Sequence, residues 1–173
     1  SYAATCCTSI DARRSSVHRS MCHAAIVRDH SDLECVKEAL REAGAEDIRL
    51  FAKIENMDGV RKLEKLLPAA DEIVIARGDL GNAVHLWDLP GVQRQISEKC
   101  RAAGKPFMVV TQMLASMERS PVPTRAEVND IFHAVMDGAA SIMVTGETAV
   151  GELPGGSHPV YGEYGEKRGE GRK

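Results

Sequence analysis

From about residue 24 to residue 150 the chain repeats one pattern, a short apolar run rich in β-branched residues followed by a longer stretch with apolar residues at helical spacing. That alternation admits few folds, because strands joined by crossover helices pair in parallel. Ala24–Val27, Ile48–Glu55, Ile73–Ala76, Phe107–Thr111 and Ser141–Val144 are the expected strands. They recur about every 25 to 35 residues, the length of a repeating βα unit. The fold class read from this pattern is α/β.

The segments between the strands carry helix punctuation. Ser31-Asp32-Leu33-Glu34 reads as a capping box, with Leu33, Val36 and Leu40 on one helix face and Gly44 at its end. Val60, Leu63 and Leu67 mark one side of a second helix, which stops before Pro68. Pro90 suits the first turn of a third, carrying Val92, Ile96 and Cys100 as far as Gly104. Thr124-Arg125-Ala126-Glu127 is another capping box, opening a helix with Val128, Ile131, Phe132 and Val135. Residues 1–21 read as a disordered extension and residues 155–173, Gly-rich and charged, as a disordered tail.

Composition removes several classes of function. A net charge of −3 with interspersed acids and bases offers no field for nucleic acid or an anionic membrane. No apolar run approaches the roughly 20 residues of a membrane helix. Five cysteines without C-x-x-C spacing argue against a disulfide framework or a zinc knuckle, and favour a reducing, cytoplasmic setting. The Ser/Arg-rich stretch around Cys6 and Cys7, with Asp11 as its single acid, also fits an organelle transit peptide, so a plastid or other organelle is the alternative. Neither a Walker loop nor a histidine metal motif is present, and His133 reads as an ordinary helix residue.

Chemistry concentrates where strands end. Lys53 and Glu55 stand two apart at the carboxyl end of the second strand, so both side chains leave one face. A partly exposed ion pair at a strand end is the plain reading of such residues. Asp79 alters it, following the third strand in Ala76-Arg77-Gly78-Asp79-Leu80-Gly81, where the glycines are expected to allow a tight turn close to a ligand. Two carboxylates from adjacent strand ends suit a hard divalent cation, and a neighbouring lysine can neutralise phosphate or enolate oxygens. Thr111 and Gly146-Glu147-Thr148 occupy the matching places after the fourth and fifth strands. Lys53, Glu55, Asp79, Thr111 and Glu147 are therefore expected together at the carboxyl ends of five parallel strands.

These residues sit in blocks that resemble pyruvate kinases: Phe51-Ala52-Lys53-Ile54-Glu55-Asn56, Ala76 to Gly81, Thr111-Gln112-Met113-Leu114-Ala115-Ser116-Met117, Pro123 to Glu127 and Gly146-Glu147-Thr148-Ala149. The resemblance runs from about Ala24 to Pro154, and a catalytic-barrel segment is expected over residues 22–154. It implies a partial (β/α)8 TIM barrel, roughly strands 4 to 8, belonging to a longer polypeptide that supplies the first three strands, a lid and a regulatory domain.

The function implied is phosphoryl transfer from phosphoenolpyruvate to ADP, giving pyruvate and ATP in glycolysis. The resemblance makes Lys53 and Thr111 catalytic and Glu55 and Asp79 ligands of Mg²⁺ or Mn²⁺. It has Gly78, Asp79 and Thr111 bind substrate. It also implies K⁺ and a homotetramer at full length. Ala52 replaces the family's usual Ser, and Asn82 to Trp87 departs from its usual Ile/Pro-bearing segment. A Mg²⁺-dependent pyruvate lyase or aldolase, and a non-catalytic interaction module, are the competing readings.

Overall fold

The computed structural model describes residues 21–146. The expected extension up to residue 20, the tail, and Glu147 with Thr148 lie outside the described residues. Five strands, β1 (Met21–Ala24), β2 (Arg49–Ile54), β3 (Glu72–Ala76), β4 (Phe107–Val110) and β5 (Ser141–Met143), pair in parallel and stand in chain order. Between them run α1 (His30–Glu42), α2 (Met57–Arg61), α3 (Leu63–Leu66), α4 (Arg77–Ala83), α5 (Leu89–Ala102) and α6 (Arg125–Met136), with a 3₁₀ turn at Ala115–Glu118.

Strand parity divides the core in two. Leu50, Ala52 and Ile54 of β2, Ile73 and Ile75 of β3, and Phe107 and Val109 of β4 are buried against helix residues, chiefly Leu33, Leu66, Ile96, Cys100 and Ile131. The alternate positions Phe51, Val74, Ala76, Met108 and Val110 form a second, smaller cluster on the opposite face. Every residue of β3 and β4 is buried, as expected for parallel strands covered on both sides. Burial also raises the pKa of the Cys100 thiol, to about 12, although the nearby Lys105 charge opposes it. Among the described residues no helix is long and apolar enough to cross a membrane.

Four local expectations are corrected. The first strand lies at Met21–Ala24 rather than Ala24–Val27, because the chain leaves the sheet at Ile26, whose φ is 55°. The cap of α1 is Asp29, with Asp32 as the reciprocal partner, not Ser31 with Glu34. The helix after β2 is two pieces, α2 and α3, meeting at Lys62. Its expected face survives the break, since Val60, Leu63 and Leu67 are all buried. Finally, the stretch after β3 is the first turn of α4 rather than a tight glycine turn. The cap of α6 follows expectation: Thr124 and Glu127 form a reciprocal box.

Candidate active site at the carboxyl ends of β2, β3 and β4

The strand register sets the site. Ile54 pairs with Ile75, and Ala76 pairs with Val110. Residues just past the ends of these three strands therefore lie side by side, along the edge where βα enzymes carry their reacting groups.

At the end of β2, Lys53 Nζ lies 2.5 Å from Glu55 Oε1. Glu55 is buried, so its charge needs a partner, and the lysine provides it. The second oxygen of Glu55 accepts the backbone N–H of Ile26 at 2.6 Å. Asn56 adds another tie to the same loop, donating from Nδ2 to the Val27 carbonyl at 3.2 Å while its Oδ1 caps α2 through the Gly59 N–H. The left-handed loop after β1 is thus fastened to the end of β2. His23, on β1, stands edge-on to Phe51 at 5.1 Å. Burial and then the Lys53 charge hold its pKa below the ordinary imidazole value, against the opposing pull of Glu72.

At the end of β3, Asp79 is exposed in the first turn of α4, and its carboxylate makes no ion pair or hydrogen bond among the described residues. The Gly78 N–H donates to Thr111 Oγ1 at 2.7 Å. Thr111 in turn donates its hydroxyl proton to the Val110 carbonyl at 2.6 Å. Thr111 and Gln112 both have positive φ, 71° and 53°. Such values are uncommon outside glycine, above all for a β-branched residue.

Lys53, Glu55, Gly78, Asp79 and Thr111 thus come to one edge of the sheet, while Glu147 lies outside the described residues. Sequence reasoning missed Arg77, which is buried and donates to the carbonyls of Thr111 and Gln112 and to Asp130 Oδ2. An arginine placed directly after the apolar run Ile73–Ala76 was the available signal. His133 is exposed, with Nδ1 2.9 Å from the Asn129 carbonyl oxygen.

Among the described residues no group of three or more His, Cys, Asp or Glu is close enough to hold a metal. The available pair, buried Glu55 and Asp79, which has no partner among the described residues, fits a cation that takes one or two protein carboxylates and completes its shell with substrate oxygens and water. These are hard oxygen donors, suited to Mg²⁺ or Mn²⁺ rather than to zinc.

Residues 12–157 match the family model for the pyruvate kinase barrel domain. A pyruvate kinase of Bacillus licheniformis is 45% identical over 131 residues, which is 76% of this chain and 22% of that protein. One of Clostridium acetobutylicum is 42% identical over 134 residues, covering 78% of this chain and 28% of its own length. One of Dictyostelium discoideum is 44% identical over 131 residues, covering 76% and 26%. The chain therefore spans roughly a quarter of the length of these relatives. A match over most of its residues, on a sheet whose five parallel strands stand in chain order, establishes that this chain belongs to the pyruvate kinase family, as part of its barrel domain.

Proposed function

We propose that the chain forms the metal- and substrate-holding end of a pyruvate kinase barrel, which transfers the phosphoryl group of phosphoenolpyruvate to ADP and yields pyruvate and ATP. The observation that carries this reading is the Lys53–Glu55 ion pair, standing level with Gly78, Asp79 and Thr111 at the carboxyl ends of three adjacent strands. The chemistry belongs to the assembled barrel, as the glycolytic step that its relatives' name denotes. Its setting is the cytoplasm, in keeping with the free thiols of Cys35 and Cys100 among the described residues.

Phosphoryl transfer asks a protein mainly for positioning and for charge placed where charge develops. Lys53 meets the second need. Its ammonium is only partly exposed, so it acts on the phosphoryl group in flight, and then on the enolate oxygen, with less screening than a surface lysine. Glu55 and Asp79 would hold the divalent cation, which when bound would supply positive charge to offset the negative charge that develops on oxygen. The Asp79 N–H meets the substrate carboxylate, and the Gly78 N–H, while keeping its bond to Thr111, is shared with it. Thr111 orients pyruvate for protonation of the enolate at its methylene carbon. K⁺, which the family uses, has no ligand assigned on this chain.

The test is kinetic. In a hybrid enzyme made by placing residues 21–146 in the Bacillus licheniformis pyruvate kinase in place of its matching segment, Lys53→Met should lower kcat ~10²–10³-fold with little change in KM for phosphoenolpyruvate. Asp79→Asn should raise the Mg²⁺ concentration needed for half-maximal rate. Unchanged kinetics in the Lys53 variant would sink the reading.

A further inference from the structure

Thr111 holds a backbone conformation that its own residue type resists, and Gln112 shares it. Two successive non-glycine residues with positive φ persist only where their surroundings enforce them. The enforcing group is visible. Arg77 Nη2 donates to the Thr111 carbonyl at 2.7 Å and to the Gln112 carbonyl at 3.2 Å, and Nε reaches the Thr111 carbonyl at 3.3 Å. Nη2 also lies 2.9 Å from Met113 Sδ. One planar guanidinium thus grips the carbonyls of both strained residues.

The grip is braced from behind. Arg77 Nη1 donates to Asp130 Oδ2 on α6 at 2.5 Å, which supplies the countercharge a buried guanidinium requires. The next residue along the chain completes the hold, because the Gly78 N–H donates to Thr111 Oγ1. Residues 77 and 78 therefore fasten Thr111 at both its carbonyl and its hydroxyl. Its bonds to Gly78 and Val110 fix where the hydroxyl oxygen sits, while its proton can turn from the Val110 carbonyl to a substrate oxygen.

We propose that Arg77, braced by Asp130, is a positioning residue for the reaction: it holds the Thr111–Gln112 turn so that the Thr111 side chain stands in one fixed place beside pyruvate. The inference rests on the function proposed above and deepens it. A lysine cannot replace the arginine, since an ammonium carries the charge without the planar fork that spans two carbonyls and a carboxylate. The strain also gives the idea a signature beyond ordinary packing. If the clamp exists to hold a left-handed turn, glycine at position 112, which enters that region freely, should reduce the need for it.

In the hybrid enzyme, Arg77→Lys should lower kcat ~10²-fold, the cost of displacing a reacting group by about 1 Å, while KM for phosphoenolpyruvate moves less than about threefold. Exchange of pyruvate methyl protons with D₂O, the reverse of enolate protonation, should slow in parallel. Asp130→Asn keeps the shape and one acceptor oxygen and should show the same pattern more mildly. Gln112→Gly in the Arg77→Lys background should recover about tenfold of the lost kcat.

Arg77→Lys and Asp130→Asn variants with parental kcat and methyl exchange, in an enzyme that Lys53→Met inactivates, would overturn the clamp and leave the function standing. Indifference to Lys53→Met would overturn the function itself. Equal loss in kcat and in binding, with no recovery by glycine, would reduce Arg77 to a structural residue. An independent readout on the 173-residue chain decides the matter if the hybrid does not turn over. Amide exchange at Gly78, slowed by its bond to Thr111, should quicken about tenfold in Arg77→Lys, and an unchanged rate would refute the clamp.

Discussion

Gly59 occupies a place that admits no side chain, for a Cβ there would stand 2.8 Å from the Val27 carbonyl oxygen. The contact is with backbone, in a loop already fastened by Asn56, so it cannot be relieved by turning a side chain. Gly59→Ala should destabilise the fold by about 1–3 kcal/mol, the usual cost of overpacking, read from the shift in a chemical denaturation midpoint. A midpoint unchanged from the parent would show that the loop after β1 gives way easily. At this scale the sequence was legible where parity and strand ends speak. Lys53 and Glu55 share a face because they are two apart, and Thr111 follows an apolar run that has to end. Arg77 and Asp130 were not legible as a pair, since they are 53 positions apart and no local pattern specifies which acid a buried arginine meets. Nor was the left-handed Ile26, whose conformation depends on the distant Glu55 carboxylate.

Helix caps show where local pattern suffices and where tertiary contact decides. Thr124 and Glu127 were readable because no competing cap stood nearby, and Glu127 also accepts both the N–H and the hydroxyl of Ser116, tying the 3₁₀ turn to α6. Around α1 two boxes of equal spacing compete, Asp29 with Asp32 and Ser31 with Glu34. The first forms in the structure, where Asp29 also pairs with Lys62 at 2.7 Å. Thr124→Ala should cost about 1 kcal/mol, measured by thermal or chemical unfolding. Glu127 adds a pH dependence. Burial pushes its carboxyl upward, but hydrogen bonds from Ser116 and Thr124 outweigh that and hold it below the ordinary 4.5. Its folded pKa is lower than its unfolded one, so its contribution is full above about pH 4.5 and is lost as pH falls through the folded value. Glu127→Gln should flatten the acid side of the stability curve over that window, and a curve still parallel to the parent's would count against the assignment.

Across the whole molecule, β1 and β5 each pair on one side only among the described residues. Exposed strand edges invite pairing with other chains. The 173-residue chain alone should therefore sediment with a concentration-dependent mass and form no pyruvate from phosphoenolpyruvate and ADP with Mg²⁺ and K⁺ present. Turnover that vanished in Lys53→Met would show that the chemistry needs less of the barrel than proposed. The coarse architecture was readable because each βα unit carries its own periodicity, whereas the cap of α1 and the break between α2 and α3 answer to contacts from other units. That order of strands has a consequence in time. Since among the described residues every strand bonds only to the one before and the one after it, each new unit can dock as soon as it emerges during synthesis, onto a surface already made. Growth of the sheet needs no waiting for a distant partner, and an arrested chain would present one fresh edge at a time to a chaperone.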